Sequence, residues 1–234
     1  MSLYLAIAGS CAEQKANATD TSYTLSELTY GDVANAGNQT VVELMVSPTQ
    51  MFITTEPGSG EKLLAYGFDD SSLPDFGALQ GELSLNRENP RGNCFGDSGN
   101  YLYIAGHASP YLERKELANP YDINHVSAST TKNTIGFGWA GQGIELKSDG
   151  SLVFIVESAN VRIMSLSTNY DITSMSSSVT TVSLAVTDDD GHTIAGLTGI
   201  RFKPDGTKVF VSYRVSNIPK VAEFSLSTAW DLST

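Results

Sequence analysis

The sequence predicts an all-β protein, a β-propeller of about five four-stranded antiparallel blades, on three observations. A phrase of alternating strands around one sharp turn recurs along the 234 residues. Its second strands, aligned on Leu5, Phe52, Tyr103, Phe154 and Phe210, step by 47, 51, 51 and 56 residues. No segment carries the 3.6-residue period of an amphipathic helix. All-β repeats of that length are the mark of propeller blades. One such meander cannot bury both its faces alone, so the copies must stack on one another. The whole chain is read as one domain, with units at about 1–40, 41–91, 92–142, 143–198 and 199–234.

The first unit is a fragment. Leu3-Tyr4-Leu5-Ala6-Ile7-Ala8 matches a second strand, Ser22–Leu28 a third, and Tyr30-Gly31-Asp32-Val33 the ending. The second unit is weak: Ser47-Pro48-Thr49 turns, Gln50–Thr54 and Lys62–Tyr66 alternate, and Leu73-Pro74-Asp75-Phe76 closes. The third is clearer, with a turn at Asp97-Ser98-Gly99-Asn100, strands at Tyr101–Ala105 and Tyr111–Leu117, and the ending Pro120-Tyr121-Asp122-Ile123. The fourth and fifth are near copies. Gly143-Ile144-Glu145-Leu146 parallels Gly199-Ile200-Arg201-Phe202, Ser148-Asp149-Gly150 parallels Pro204-Asp205-Gly206, and Tyr170-Asp171-Ile172 parallels Trp230-Asp231-Leu232. Pro presets φ for such a turn and Gly accepts φ > 0. A fourth strand per blade fits well at Thr180–Val186 and moderately at Gly81–Leu85. The Gly-rich linker before Gly143 fits poorly. The phrase begins on a second strand and stops after a third, which predicts an incomplete propeller, part of a larger ring, or edges covered by partners.

Composition narrows the function. Lys and Arg number 14 against 26 Asp and Glu, a net charge of −12. That argues against nucleic acid, whose phosphates need cations. No apolar run approaches the ~20 residues of a membrane span, so no membrane insertion is expected. Leu3–Cys11 lacks the basic start of a secretion signal and is read as a strand. Cys11 and Cys94 lie in different repeats and make no disulfide scaffold or metal spacing. Asn17 and Asn38 match a glycosylation pattern common by chance in a chain this rich in Asn, Ser and Thr.

The phrase Pro204–Val211 with Glu223–Thr234, PDGTKVFV…EFSLSTAWDLST, resembles the β-propeller repeats of tail-fibre and other virion proteins of marine bacteriophages and of some secreted bacterial proteins. It is similar, more distantly, to the Tyr-Val-Thr-Asn family of surface propellers. The resemblance implies a propeller scaffold and transfers no catalytic residue.

Five aspartates follow the third strands: Asp32, Asp75, Asp122, Asp171 and Asp231. They read as repeated structural positions, each carboxylate accepting turn N–H groups while a neighbouring aromatic fills the gap between blades. Asp188 and Asp190, in the acidic run before His192, are weak candidates for Ca²⁺. That run lacks the alternate spacing and distal Glu of a calcium loop. His107, His125 and His192 occupy unrelated repeat positions, so no zinc site is expected. Tyr111 and Trp139 are weak candidates for stacking on sugar rings. No Gly-x-Ser-x-Gly elbow is present, Gly136–Gly143 does not link a strand to a helix, and no cofactor is expected. The expectation is therefore a non-enzymatic propeller module of a phage tail or fibre, located in the virion or outside the cell. Its partners would be other virion proteins, copies of itself, or a host-surface glycan. A secreted or surface propeller that binds glycan or protein is the alternative, and a propeller lyase or hydrolase of a sugar polymer the second.

Overall fold

The repeating phrase sorts its side chains by a period of two, and the sheets follow from it. The structure is a computed structural model that describes residues 40–47, 50–56, 61–68, 76–85, 90–106, 111–132, 141–184, 191, 193, 196–215 and 218–233. The first sheet runs β1 (Thr40–Val46), β2 (Gln50–Glu56), β3 (Lys62–Phe68), β4 (Phe76–Ser84). The second runs β5 (Pro90–Gly96), β6 (Tyr101–Gly106), β7 (Leu112–Leu117), β8 (Val126–Lys132). The third runs β9 (Gly143–Leu146), β10 (Leu152–Glu157), β11 (Asn160–Ser165), β12 (Thr180–Ser183). The fourth runs β13 (Gly199–Phe202), β14 (Lys208–Val215), β15 (Ile218–Ser225). Every neighbouring pair is antiparallel, in plain sequence order. Phe52, Tyr103, Phe154 and Phe210 each stand on the second strand of their sheet. The first strands converge, β1 against β5, β5 against β9 and β9 against β13, and the sheets fan outward from that line. This is β-propeller architecture.

Glycine opens the phrase because the first strands nearly touch. A Cβ on Gly92 would lie 2.6 Å from the Gly143 Cα, and one on Gly143 would lie 2.8 Å from the Gly199 Cα. Only a residue without a side chain admits such an approach.

Three apolar layers fill the wedges. Between the first two sheets Phe52, Leu63 and Ala65 meet Leu102 and Ile104. Next, Tyr103, Ala105 and Leu112 meet Ile144, Leu146 and Val153. Last, Phe154, Val156 and Val161 meet Ile200, Phe202 and Val209. Each layer repeats one contact: the second-strand aromatic of one sheet meets the first strand and the closing turn of the next. Phe52 lies 4.7 Å from Phe95, which lies 5.1 Å from Tyr121. Phe154 lies 4.6 Å from Phe202, which lies 4.8 Å from Trp230. In the middle wedge polar contacts replace part of the stack. The Tyr103 hydroxyl and Arg114 Nη1 both donate to the Tyr170 carbonyl, at 2.8 and 2.9 Å. At the rim, the Asn124 amide clasps the preceding sheet, donating to the Gln80 carbonyl at 3.1 Å and accepting from the Glu82 N–H at 3.3 Å.

Two expectations change. The fourth strand of the third unit is β8, directly after the Asp122 turn, and not the Gly-rich linker at 133–140, which lies outside the described residues. Ser127, Ala128 and Ser129 on it are exposed, so hydrogen bonding to β7 defines this strand and apolar alternation does not. In the second unit Phe76 already starts β4, so it ends no turn.

Candidate functional site

The closing turns show what the repeated aromatic–Asp pair does. Tyr121, Tyr170 and Trp230 have φ of 63°, 64° and 66°, in the left-handed region. Each donates its backbone N–H to the carbonyl of Gly99, Gly150 or Gly206, at 2.9, 3.0 and 2.9 Å. Each ring covers that same glycine: a Cβ there would stand 2.5, 2.5 and 2.1 Å from the ring. The carboxylates turn inward on the loop. Asp171 Oδ1 accepts from the Thr173 N–H at 2.9 Å and its hydroxyl at 2.8 Å. Asp231 Oδ1 accepts from the Ser233 N–H at 2.9 Å and its hydroxyl at 2.6 Å. Asp122 accepts from the Asn124 N–H at 3.2 Å and meets His125 Nδ1 at 2.8 Å. The bond from His125 holds the Asp122 carboxyl low, and the bonds from Ser233 do the same for Asp231. These three aspartates bind their own turns. Asp32 and Asp75 lie outside the described residues, as do Asp188, Asp190, Trp139, His107 and His192. Tyr111 is half-buried, and its carbonyl accepts from the Gly106 N–H. Cys94 is buried. Among the described residues no group of three or more His, Cys, Asp or Glu is placed to hold a metal ion.

A different cluster sits where the first strands converge. Thr54 of β2 accepts from Asn93 Nδ2 at 2.6 Å, and neither residue has any exposed surface. The Asn93 carbonyl on β5 accepts from Arg201 Nη2 at 2.6 Å. Arg201, on β13, also donates through Nη1 to the carbonyls of Ile144 and Ile200, both at 2.8 Å. Glu145 Oε2, on β9, lies 3.3 Å from the same Nη1. Four polar side chains from four sheets thus meet in the interior, with Glu145 6% and Arg201 5% exposed. Burial pushes the Glu145 carboxyl up to about 7, and the Arg201 guanidinium only partly offsets it. Ion-pair geometry alone would argue for a low value. Burial wins here because the carboxylate has lost its water, while the guanidinium is shared with three carbonyls.

None of these four residues stands out as a motif. The readable signal was a mismatch between near-identical copies. The third position of the first strand holds Cys94, Glu145 and Arg201 in successive units, opposite charges in strands that are otherwise apolar.

Known proteins place the fold. No family model matches the chain, and no curated protein matches its sequence. Solved structures do. A luciferin-regenerating enzyme superposes with a TM-score of 0.52 at 10% identity, covering 76% of this chain and 56% of that one. A putative 6-phosphogluconolactonase from Bacteroides uniformis gives 0.48 at 12%, covering 80% and 53%. The periplasmic gluconolactonase of Pseudomonas aeruginosa gives 0.43 at 14%, covering 80% and 57%. The chain spans about half the length of the structures it matches. At such identities the likeness is one of fold. It nevertheless overturns the expectation of a non-enzymatic virion module for assembly or attachment. The structure that superposes best of those named is described as an enzyme, and nothing in it leads to a phage. The repeat phrase misled because it encodes the wedge packing that any propeller needs, whatever the protein does.

Proposed function

We propose that this chain is a hydrolase-type propeller acting on a small ester- or lactone-like substrate at the convergence of its first strands. Glu145 is the proton acceptor for the attacking water, and Arg201 is the cation facing the developing oxyanion. The observation that carries the reading is the buried Glu145–Arg201 pair, with the carboxyl held near neutrality. A base with a value near the working pH combines adequate basicity with a populated deprotonated form. A guanidinium already anchored by backbone carbonyls needs no reorganisation when charge develops beside it. The gluconolactonases named above give the substrate class its starting point, as proteins with a similar fold.

The test is hydrolysis of a panel of aryl esters and five- and six-membered lactones by the wild type and by Glu145→Gln. Turnover should rise with pH through about 7 and fall on the order of 10²-fold or more in the variant, the range for losing a general base. Gln mimics the neutral carboxylic acid, so an unchanged circular-dichroism spectrum at pH 5 separates loss of chemistry from loss of fold. A wild type that turns over nothing on the panel, or a variant that keeps full activity, sinks the reading.

A further inference from the structure

Two residues of the axial cluster carry no charge and break the repeat as a pair. On the second strand, two places after the aromatic, Thr54 stands where the next sheets hold Ala105 and Val156. On the first strand, directly after the glycine, Asn93 stands where the later copies hold Ile144 and Ile200. In the other two wedges these places share one buried apolar layer, Ala105 with Ile144 and Val156 with Ile200. Packing therefore needs neither the hydroxyl nor the amide. We propose that Thr54 and Asn93 are positioning residues that fix where the Asn93 carbonyl meets Arg201, and so keep the guanidinium from closing two-pronged on Glu145.

Three backbone carbonyls hold Arg201, and they are not equally secure. Ile200 is on its own strand and Ile144 on the adjacent first strand, β9. Asn93 lies on β5, two sheets away, so the 2.6 Å bond from Arg201 Nη2 depends on how the second sheet sits against the first. Apolar contacts have no direction and let such a sheet slide slightly. A hydrogen bond fixes distance and angle. The one from Asn93 Nδ2 to Thr54 Oγ1 is 2.6 Å long, between residues that are both 0% exposed. It ties β5 to β2 at the residue whose carbonyl Arg201 uses. Nη2 is held there and Nη1 is shared by two carbonyls, which leaves Glu145 Oε2 3.3 Å from Nη1. A charge-assisted bond is shorter, about 2.7–2.9 Å. Released from Asn93, Nη2 can turn toward the carboxylate, and a two-pronged pair stabilises the charged form more strongly. Glu145 then holds its proton less tightly and is a weaker base. Only the effect on turnover rests on the hydrolytic reading above; the effect on the Glu145 proton does not.

NMR titration of the glutamate carboxyl carbons of the full chain, with the Glu145 signal identified by its loss in Glu145→Gln, tests this. The wild type should titrate at about 7. Thr54→Val should lower that midpoint by at least about 1 pH unit, the size of a close guanidinium's effect on a carboxyl. The double variant Thr54→Val with Asn93→Ile copies Val156 and Ile200 of the last wedge. It removes both polar groups together, so it should fold and show the same drop. Thr54→Ser keeps the hydroxyl and should keep the midpoint. Loss of packing alone would move urea midpoints and leave the Glu145 titration in place. On the ester and lactone panel, the rise of turnover with pH should move down with the NMR midpoint. A Glu145 midpoint that stays at the wild-type value in the folded double variant overturns the positioning role, as does one that drops equally in Thr54→Ser. With a wild type inactive on the panel, the hydrolytic reading falls and the titration still decides the positioning role.

Discussion

Glu145 should make the protein less stable as pH rises from about 4.5 to about 7, and Glu145→Gln should remove that slope. The carboxyl titrates near 7 when folded and at 4.5 as a free side chain. Its folded value is raised, so the folded state holds the proton more tightly. The contribution to stability is full below about 4.5 and is lost as pH rises through 7. A difference of about 2.5 pH units corresponds to about 3 kcal/mol, at 1.36 kcal/mol per unit. For a domain of this size that is roughly 6–12 °C in Tm. Urea unfolding of wild type and Glu145→Gln at pH 5 and pH 8 measures it. The stability of the wild type relative to the variant should fall by about 2–3 kcal/mol between the two pH values, because part of the loss has already occurred at pH 5. Taking the difference removes every other group, including the exposed aspartates that titrate low. A difference that is flat, or that grows with pH, would refute the claim that burial outweighs Arg201.

Other outcomes follow from the wedge and turn contacts. Gly143→Ala places a methyl 2.8 Å from the Gly199 Cα and should cost about 1–3 kcal/mol by overpacking, read as a lower urea midpoint at unchanged slope. Phe154→Ala empties the ring site beside Phe202, which itself packs on Trp230, and should cost about 3–5 kcal/mol. Trp230 fluorescence should shift to the red in the native state of that variant. Asp171→Ala removes both bonds to Thr173 and should cost about 1 kcal/mol in Tm scans, with no effect on hydrolysis. Asp149 offers a pH readout at the acid end. Burial raises it, but bonds from Lys147 and Ser151 outweigh that and hold it at about 2, so its contribution is lost only as pH falls from about 4 toward 2.

Where the phrase repeats closely, the sheets could be read from it. Lys208 and Tyr101 each begin a second strand at the expected residue, because an apolar run and a Gly turn act together there, and Gln50 does so after Ser47-Pro48-Thr49. β8 was hidden because an outermost strand needs little apolar burial, and Ser-Ala-Ser-Thr-Thr carries no period. The axial cluster was harder to see. Glu145 and Arg201 are 56 residues apart, and Asn93 reaches Arg201 through its carbonyl, an atom that sequence does not mark. Convergence of the first strands, and nothing local, brings these groups together.

In a stack of near-identical blades, a position that serves packing holds similar residues in every copy. Phe95, Leu146 and Phe202 do so at the fourth place of the first strand. The third place breaks that rule, and the break is paired: a carboxyl in one sheet answers a guanidinium in the next. Arg201 draws three of its contacts from backbone carbonyls of β5, β9 and its own strand. Those acceptors do not titrate, so the cation keeps its position whether or not Glu145 carries a proton. A buried pair kept for stability alone would gain nothing from this, since replacing such pairs with apolar residues is commonly neutral or better. A fixed cation beside a carboxyl free to exchange its proton near neutrality is instead an arrangement suited to moving a proton, and at this site Glu145 is the group that can do it.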